Sequence, residues 1–339
     1  MNTVFAKSRK DSLRKGIMAG ALLLLTLAAS EVEAQRRFNN FVPYSSVAFG
    51  VGTSSYFGEM APYSRHVVSI FKPMRWSMTG NYTRHFTPRF AARASFTWAR
   101  IMGDDHLMNT GNYEGNFYYA RNLHFRNDLK EFAAIGIFKL TPDSRSYDRR
   151  AQFGTYLFAG VAAVAHNPMA RVPDIEGDQW VKLQPLGTEG QGNPEYAKPY
   201  SLVQLAIPVG VGVRYKINPR WDISAELGFR FTSTDYLDDA SGNYADPNLL
   251  KNDLARAMAN RSAEPTAARK NRDRTEGLQT FLRNQYNIES GDPFTTIQQT
   301  DFATPGTLRG SAARKDSYLL GMIHINYILG SPIKCPPLK

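Results

Sequence analysis

The sequence predicts an all-β protein, an eight-stranded antiparallel transmembrane β-barrel with short periplasmic turns and long external loops. Three observations predict it. Eight segments read as strands over lengths that cross a bilayer when tilted, six of them alternating apolar with small or polar residues at a period of two and two of them apolar almost throughout. The connections between them are short and long by turns, as in barrels of the bacterial outer membrane. The composition, 20 Phe, 17 Tyr and 26 Gly against 1 Cys, suits aromatic girdles and closely packed strands, and it excludes an intrachain disulfide as the source of stability. Closure of a barrel is another source, because it pairs every backbone donor and acceptor.

Residues 1–34 read as a signal peptide. Lys7, Arg9, Lys10, Arg14 and Lys15 form a positive lead, an apolar run covers 16–29, and Val32 and Ala34 occupy the two positions a signal peptidase reads. The run is too short and too early for a spanning helix, and no later run reaches spanning length. No cysteine stands at the cleavage point, so a lipoprotein is excluded. Residues 35–339 then form one barrel domain, exported to the outer membrane of a Gram-negative cell.

The first strand, 45–54, sets Val47, Phe49 and Val51 against Ser46, Ala48, Gly50 and Gly52. The second, 75–86, sets Trp76, Met78 and Tyr82 against Ser77, Thr79, Asn81 and Thr83; the third, 89–102, sets Phe90, Phe96 and Trp98 against Arg93, Ser95 and Thr97. The fourth (123–140) and fifth (153–167) are apolar at nearly every position, which leaves their facing open. The sixth, 201–217, is the cleanest, with Val203, Leu205, Ile207, Val209, Val211, Val213 and Tyr215 on one face. The seventh, 221–235, places Ile223, Leu227 and Phe229 opposite Asp222, Ser224, Glu226 and Arg230; the eighth, 317–329, places Ile323 and Ile325 opposite His324 and Asn326.

The short connections are 87–88, 141–150 and 218–220, and the long ones 57–74, 103–122, 168–200 and 236–316. A soluble β-sandwich has no reason to sort its loops this way, and an even strand count returns both termini to the periplasm. The insertion at about 236–316 carries weakly helical spacing at Leu249, Leu250, Leu254 and Met258 and again at Leu278, Phe281 and Leu282. Between them, 260–277 is charged and poor in large apolar residues, so it is expected to be mobile.

The formal charge of +11 suits contact with lipopolysaccharide phosphates or an acidic partner. The basic residues are scattered without an aromatic-interleaved stripe, which speaks against nucleic acid. No catalytic, cofactor-binding or metal site is expected. His66, His85, His106, His124, His166 and His324 have no metal-ligand spacing. His324 beside a strand serine could imitate a barrel hydrolase, but lumenal histidines and serines are ordinary filler. The string 187–192, GTEGQG, resembles a phosphate loop yet opens no helix, since Asn193 and Pro194 follow; it reads as a turn that needs positive φ. Asp235, Asp238, Asp239 and Asp246 suit either a hard cation or an Asx-turn that ends the strand. Arg93, Arg214, Glu226 and Arg230, with Glu131 if it faces inward, read as a paired network that plugs the lumen and excludes efficient porin activity.

Six strings carry a family resemblance: YSSVAFGVGTSSYFGEMAP at 44–62, RNLHFRNDLKEF at 121–132, FAGVAAVAHNP at 158–168, LQPLGTEGQG at 183–192, VQLAIPVGVGVRY at 203–215 and TDYLDDASGNYADP at 234–247. Together they resemble the PorG-like outer-membrane β-barrel family, whose founding member is associated with the type IX secretion system. The likeness covers nearly all the barrel but not 250–307. It implies a non-enzymatic structural component of a protein-secretion apparatus that links periplasmic ring proteins to the outer membrane. The other expectation is a stand-alone surface barrel that binds an external ligand or host surface through its last loop. The signal reading has a direct check: N-terminal sequencing of the membrane-extracted protein should begin at Gln35, free or cyclised, and a start at Met1 would overturn it.

Overall fold

The computed structural model describes residues 41–61, 66–108, 113–173, 179–312 and 314–329. The segment 1–34 read as a signal, Cys335 and the tail 330–339 lie outside the described residues.

The strands are β1 (Tyr44–Phe57), β2 (Arg75–His85), β3 (Phe90–Asp104), β4 (His124–Lys139), β5 (Phe153–Ala165), the three-residue β6 (Met169–Arg171) and β7 (Trp180–Lys182), β8 (Val203–Lys216), β9 (Trp221–Thr232) and β10 (Ser317–Ile328). Eight of the ten close into one antiparallel ring in which each strand pairs with its neighbours along the chain, β5 pairing with β8, β3 with β4, and β1 with β10. β6 and β7 form a small hairpin off the edge of β4, inside what the sequence presents as a plain loop. Closure leaves no barrel edge unpaired. Among the described residues no helix is long and apolar enough to cross a membrane.

The outer surface is apolar, with Phe49, Val161, Leu205, Ile207, Val211, Ile323 and Ile325 all exposed. Aromatic pairs lie near both rims: Trp221 with Tyr327 and Phe90 with Phe138 at the short-turn end, Trp76 with Trp98 toward the long-loop end. An apolar outside bounded by aromatic rims is the pattern of a barrel built to sit in lipid. The expected registers hold. Leu227 is 52% exposed, while Glu226 turns inward to Arg93. The open facing of the fourth and fifth strands is resolved. β4 buries Leu129, Glu131, Ala133, Ile135 and Ile137 and exposes Phe132, while β5 buries Tyr156, Phe158 and Val164 and exposes Leu157 and Val161. Both faces of these strands are apolar because this lumen holds rings and aliphatic chains beside its charges. Gly210 and Gly212 make room for the rings, since a Cβ there would strike Phe158 and Tyr156.

Two of the short turns are set by side chains. Asn218 Oδ1 accepts from the Arg220 and Trp221 amides, and Thr87 Oγ1 from the Phe90 amide. The third, between β4 and β5, is longer and folds Asp143 and Arg150 back into the barrel, where both are buried.

The long loops form a folded cap. It contains α1 (His66–Phe71), α2 (Asp105–Met108), α3 (Tyr113–Arg121), α4 (Asp253–Ala259), α5 (Thr275–Tyr286) and α6 (Pro293–Ile297). The helical spacing in the insertion is realised: α4 buries Met258, and α5 buries Leu278, Phe281 and Leu282 against Ala120 and Ile297. The expectation of a mobile 260–277 is corrected. Arg261, Ser262, Ala267, Ala268 and Arg274 are buried, leaving an exposed turn at 270–273. Composition misleads here because the arginines order the segment by donating to backbone carbonyls.

Two adjacent substitutions test the register. Leu227→Lys would put an ammonium into hydrocarbon near mid-strand and cost about 2–4 kcal/mol. Glu226→Lys would set a second cation beside Arg93 inside the barrel and be destabilising for a different reason. Unfolding in lipid vesicles should therefore show Arg93→Glu rescuing Glu226→Lys but not Leu227→Lys; rescue of both, or of neither, would mean that the two positions do not face opposite sides.

Candidate functional site: the plugged lumen and the capped mouth

Two connected polar networks dominate the molecule. The first fills the lumen. Arg93 Nη1 is 2.7 Å from Glu226 Oε1, which also accepts from Tyr156 Oη at 2.6 Å. Toward the long-loop end Arg230 Nε is 3.3 Å from Glu131 Oε2, which accepts from Tyr318 Oη at 2.5 Å. Toward the short-turn end Asp143 takes Lys139, Arg214 at 3.1 Å and Tyr44 Oη at 2.7 Å, and Asp222 takes Arg150 at 2.7 Å. A cavity of about 50 Å³ between Arg93 and Arg214 has room for a few waters. The plug expected from Arg93, Arg214, Glu226, Arg230 and Glu131 is present. Sequence reasoning missed Lys139, Asp143 and Arg150, two of which come from a turn with no periodicity to reveal their facing.

The second network ties the cap to the barrel mouth, and Arg309 is its centre. Its Nη1 donates to Glu189 Oε1 at 3.0 Å and to the Asp239 carbonyl at 2.6 Å, and its Nε to the Ala259 carbonyl at 3.1 Å. Glu189 also accepts from the Ser241 and Gly242 amides, and Asp239 from Thr188 and Tyr200. Burial pushes the Asp239 carboxyl up to about 6 against the pull of Arg309. Arg121 forks onto Asp105 at 2.8 and 2.7 Å, both side chains fully buried, and reaches the Arg309 carbonyl at 2.6 Å. Arg274 donates to the carbonyls of Ser262, Glu264, Tyr119 and Ala120. The cap also carries a cleft of about 340 Å³ lined by Glu189, Gln191, Tyr196, Tyr236 and Tyr244.

The other sequence candidates scatter. Among the described residues the histidines do not converge: His85 stacks on Tyr44, His124 accepts from the Arg171 amide, His166 stacks near Tyr200, and His324 lies in the lumen. The His66 side chain lies outside the described residues. Ser224, which pairs with His324 across the sheet, is engaged by Asn326. The glycine string turns as expected, with Gly187, Gly190 and Gly192 at φ of 65°, 81° and 91°. The four aspartates part company. Asp246 caps a short 3-10 turn, Asp239 joins Arg309, Asp235 bonds Ser241, and Asp238 joins Glu59 and Asp316.

No family model matches the chain, and no curated protein matches it. Among solved structures it is similar to Neisserial surface protein A, at 8% identity over 84% of this chain and 96% of that one, TM-score 0.35. It is similar also to Ail, the attachment invasion locus protein of Yersinia pestis, solved with the heparin analogue sucrose octasulfate, at 8% identity over 85% and 99%, TM-score 0.33. A third is the N-terminal β-barrel domain of Pseudomonas aeruginosa OprF, at 8% identity over 85% and 100%, TM-score 0.32. The barrel itself is established by its own strand pairing.

Arg309→Ala would leave Glu189 and Asp239 buried without their cation, a loss of about 3–5 kcal/mol for a broken buried pair. Trypsin should then cut within 260–277 much faster than in the parent. The unheated folded band on a denaturing gel should persist, because no barrel strand pair runs through Arg309. Equal resistance of parent and variant would show that Arg309 is not the tie.

Proposed function

We propose that this protein is an outer-membrane barrel acting as a closed, non-enzymatic platform, and specifically a structural component of a type IX protein-secretion apparatus, joined to periplasmic ring proteins. The observation that carries the platform reading is the lumen crossed by three tiers of ion pairs, Arg230–Glu131, Arg93–Glu226 and Arg150–Asp222. Opening a conduit there would require separating buried charges. What supports the secretion reading is the resemblance to the PorG-like family, which is most specific at 183–192 and 234–242. Those two segments meet through Glu189, Asp239 and Arg309, so the likeness follows the way the cap is fastened. Lipopolysaccharide and lipid would surround the apolar wall.

One observation favours a second reading. A folded cap with a tyrosine-lined cleft suits a stand-alone surface barrel that binds an external ligand. Affinity capture of the tagged protein from membranes, combined with two variants, separates them. On the secretion reading ring proteins co-purify, deletion of 330–339 impairs secretion, and Tyr196→Ala with Tyr236→Ala in the cleft leaves secretion intact. Secretion indifferent to the tail, together with surface binding lost from the cleft variant, would replace that reading with the surface barrel.

A further inference from the structure

Beneath the cap three carboxylates from three separate segments converge. Glu59 lies just after β1, Asp238 just after β9 and Asp316 just before β10, and one oxygen from each lies within 4.8 Å of the others. Asp238 and Asp316 are closed off from solvent, and Glu59 is 8% exposed. None of the three is in an ion pair among the described residues.

Their hydrogen bonds are too few for the charge. Asp238 Oδ1 accepts from the Ala240 amide, Asp316 Oδ2 from the Leu237 amide and Glu59 Oε1 from the Ser311 amide. Tyr56 Oη is 2.7 Å from both Asp238 Oδ2 and Asp316 Oδ1, yet has one proton to give. Glu59 Oε2 is shut away from solvent with no hydrogen-bond partner among the described residues. Asp235, itself buried, also has an orphaned oxygen and is the strongest like charge acting on Glu59. An orphaned carboxylate oxygen at a site already rich in negative charge calls for a cation or a proton.

We propose that Glu59, Asp238 and Asp316 bind one hard divalent cation, Ca²⁺, which fastens the first loop and the long insertion to the barrel mouth. The ligands are all oxygen, as hard cations require. Ca²⁺ suits the site better than Mg²⁺, because it accepts irregular, flexible oxygen coordination, whereas Mg²⁺ demands near-ideal octahedral geometry and keeps several waters, for which a closed site has little room.

The test uses the full chain, refolded in detergent micelles, stripped with EDTA and titrated with CaCl₂ alone in a calorimeter. One Ca²⁺ should bind per chain, raise the melting temperature and slow tryptic cleavage of 236–316. Glu59→Gln should weaken binding by about tenfold or more, the effect of removing one of three charged ligands, while the folded band on an unheated gel persists. Asp316→Asn should abolish binding, and if that variant fails to fold, Glu59→Gln carries the test, because its amide oxygen can keep the Ser311 bond. Absence of heat and of any melting shift at millimolar Ca²⁺ would overturn the ion. Binding of equal strength in the parent and Glu59→Gln would place it elsewhere and also overturn the proposal.

Discussion

In hydrocarbon a backbone amide or carbonyl without a partner costs several kcal/mol, and no water is present to relieve it. A sheet that crosses such a layer must close on itself. The β3–β4 and β1–β10 pairings are what complete the ring here, and the rest of the architecture follows from that closure. Eight strands fix an interior just wide enough to be filled with side chains. Inward glycines on β8 admit the rings of Tyr156 and Phe158 from β5, and the remaining space goes to arginines and carboxylates. In so narrow a space charges have no option but to pair, so closure and the ionic plug are one constraint seen at two scales.

The cap solves a different problem with the same residue types. A long insertion between two strands has few apolar residues and many backbone groups in need of partners. Guanidinium groups supply the donors. Arg274 alone serves four carbonyls drawn from two loops, and Arg309 joins three segments through two carbonyls and a carboxylate. The planar fork of arginine suits this work better than the point charge of lysine, because one side chain satisfies several acceptors in fixed directions. The small apolar cluster of Leu278, Phe281, Leu282 and Ile297 then has a frame to pack within.

These two uses explain what was legible in the sequence. Along β8 and β9 the outward and inward residues differ sharply in hydropathy, so Leu227 and Glu226 declare their faces from period two alone. On β4 and β5 both faces are apolar, and only the pairing in three dimensions separates Ile135 from Phe132. Arg93, Glu226 and Arg230 stand in strands whose alternation aims them inward. Asp143 and Arg150 come from a turn, which carries no such signal. The segment 260–277 reads as solvated because composition counts an arginine as polar whether it meets water or a carbonyl. The meeting of Glu59 with Asp238 and Asp316 depends on the β1–β10 and β9–β10 pairings, which bring together the ends of strands far apart in the chain.

The plug and the cap also constrain how any partner can act. At the short-turn end Asp143 and Arg150 fold inward and are bonded to Lys139, Arg214 and Asp222, so the end of the lumen is occupied by the chain's own turn. At the other end residues 236–316 lie over the mouth, tied down by Arg309 and Arg121. A partner arriving from either side therefore meets folded surface, and threading a segment through the barrel would mean separating several buried ion pairs in succession. On the proposed platform reading, the work of the molecule falls to its rims. In the membrane the wall is held by lipid contact and closure, while the rims are held by charge-assisted hydrogen bonds. Rim residues can thus change with less consequence for the barrel than residues of the wall. That division lets one barrel carry different caps and turns without refolding its core.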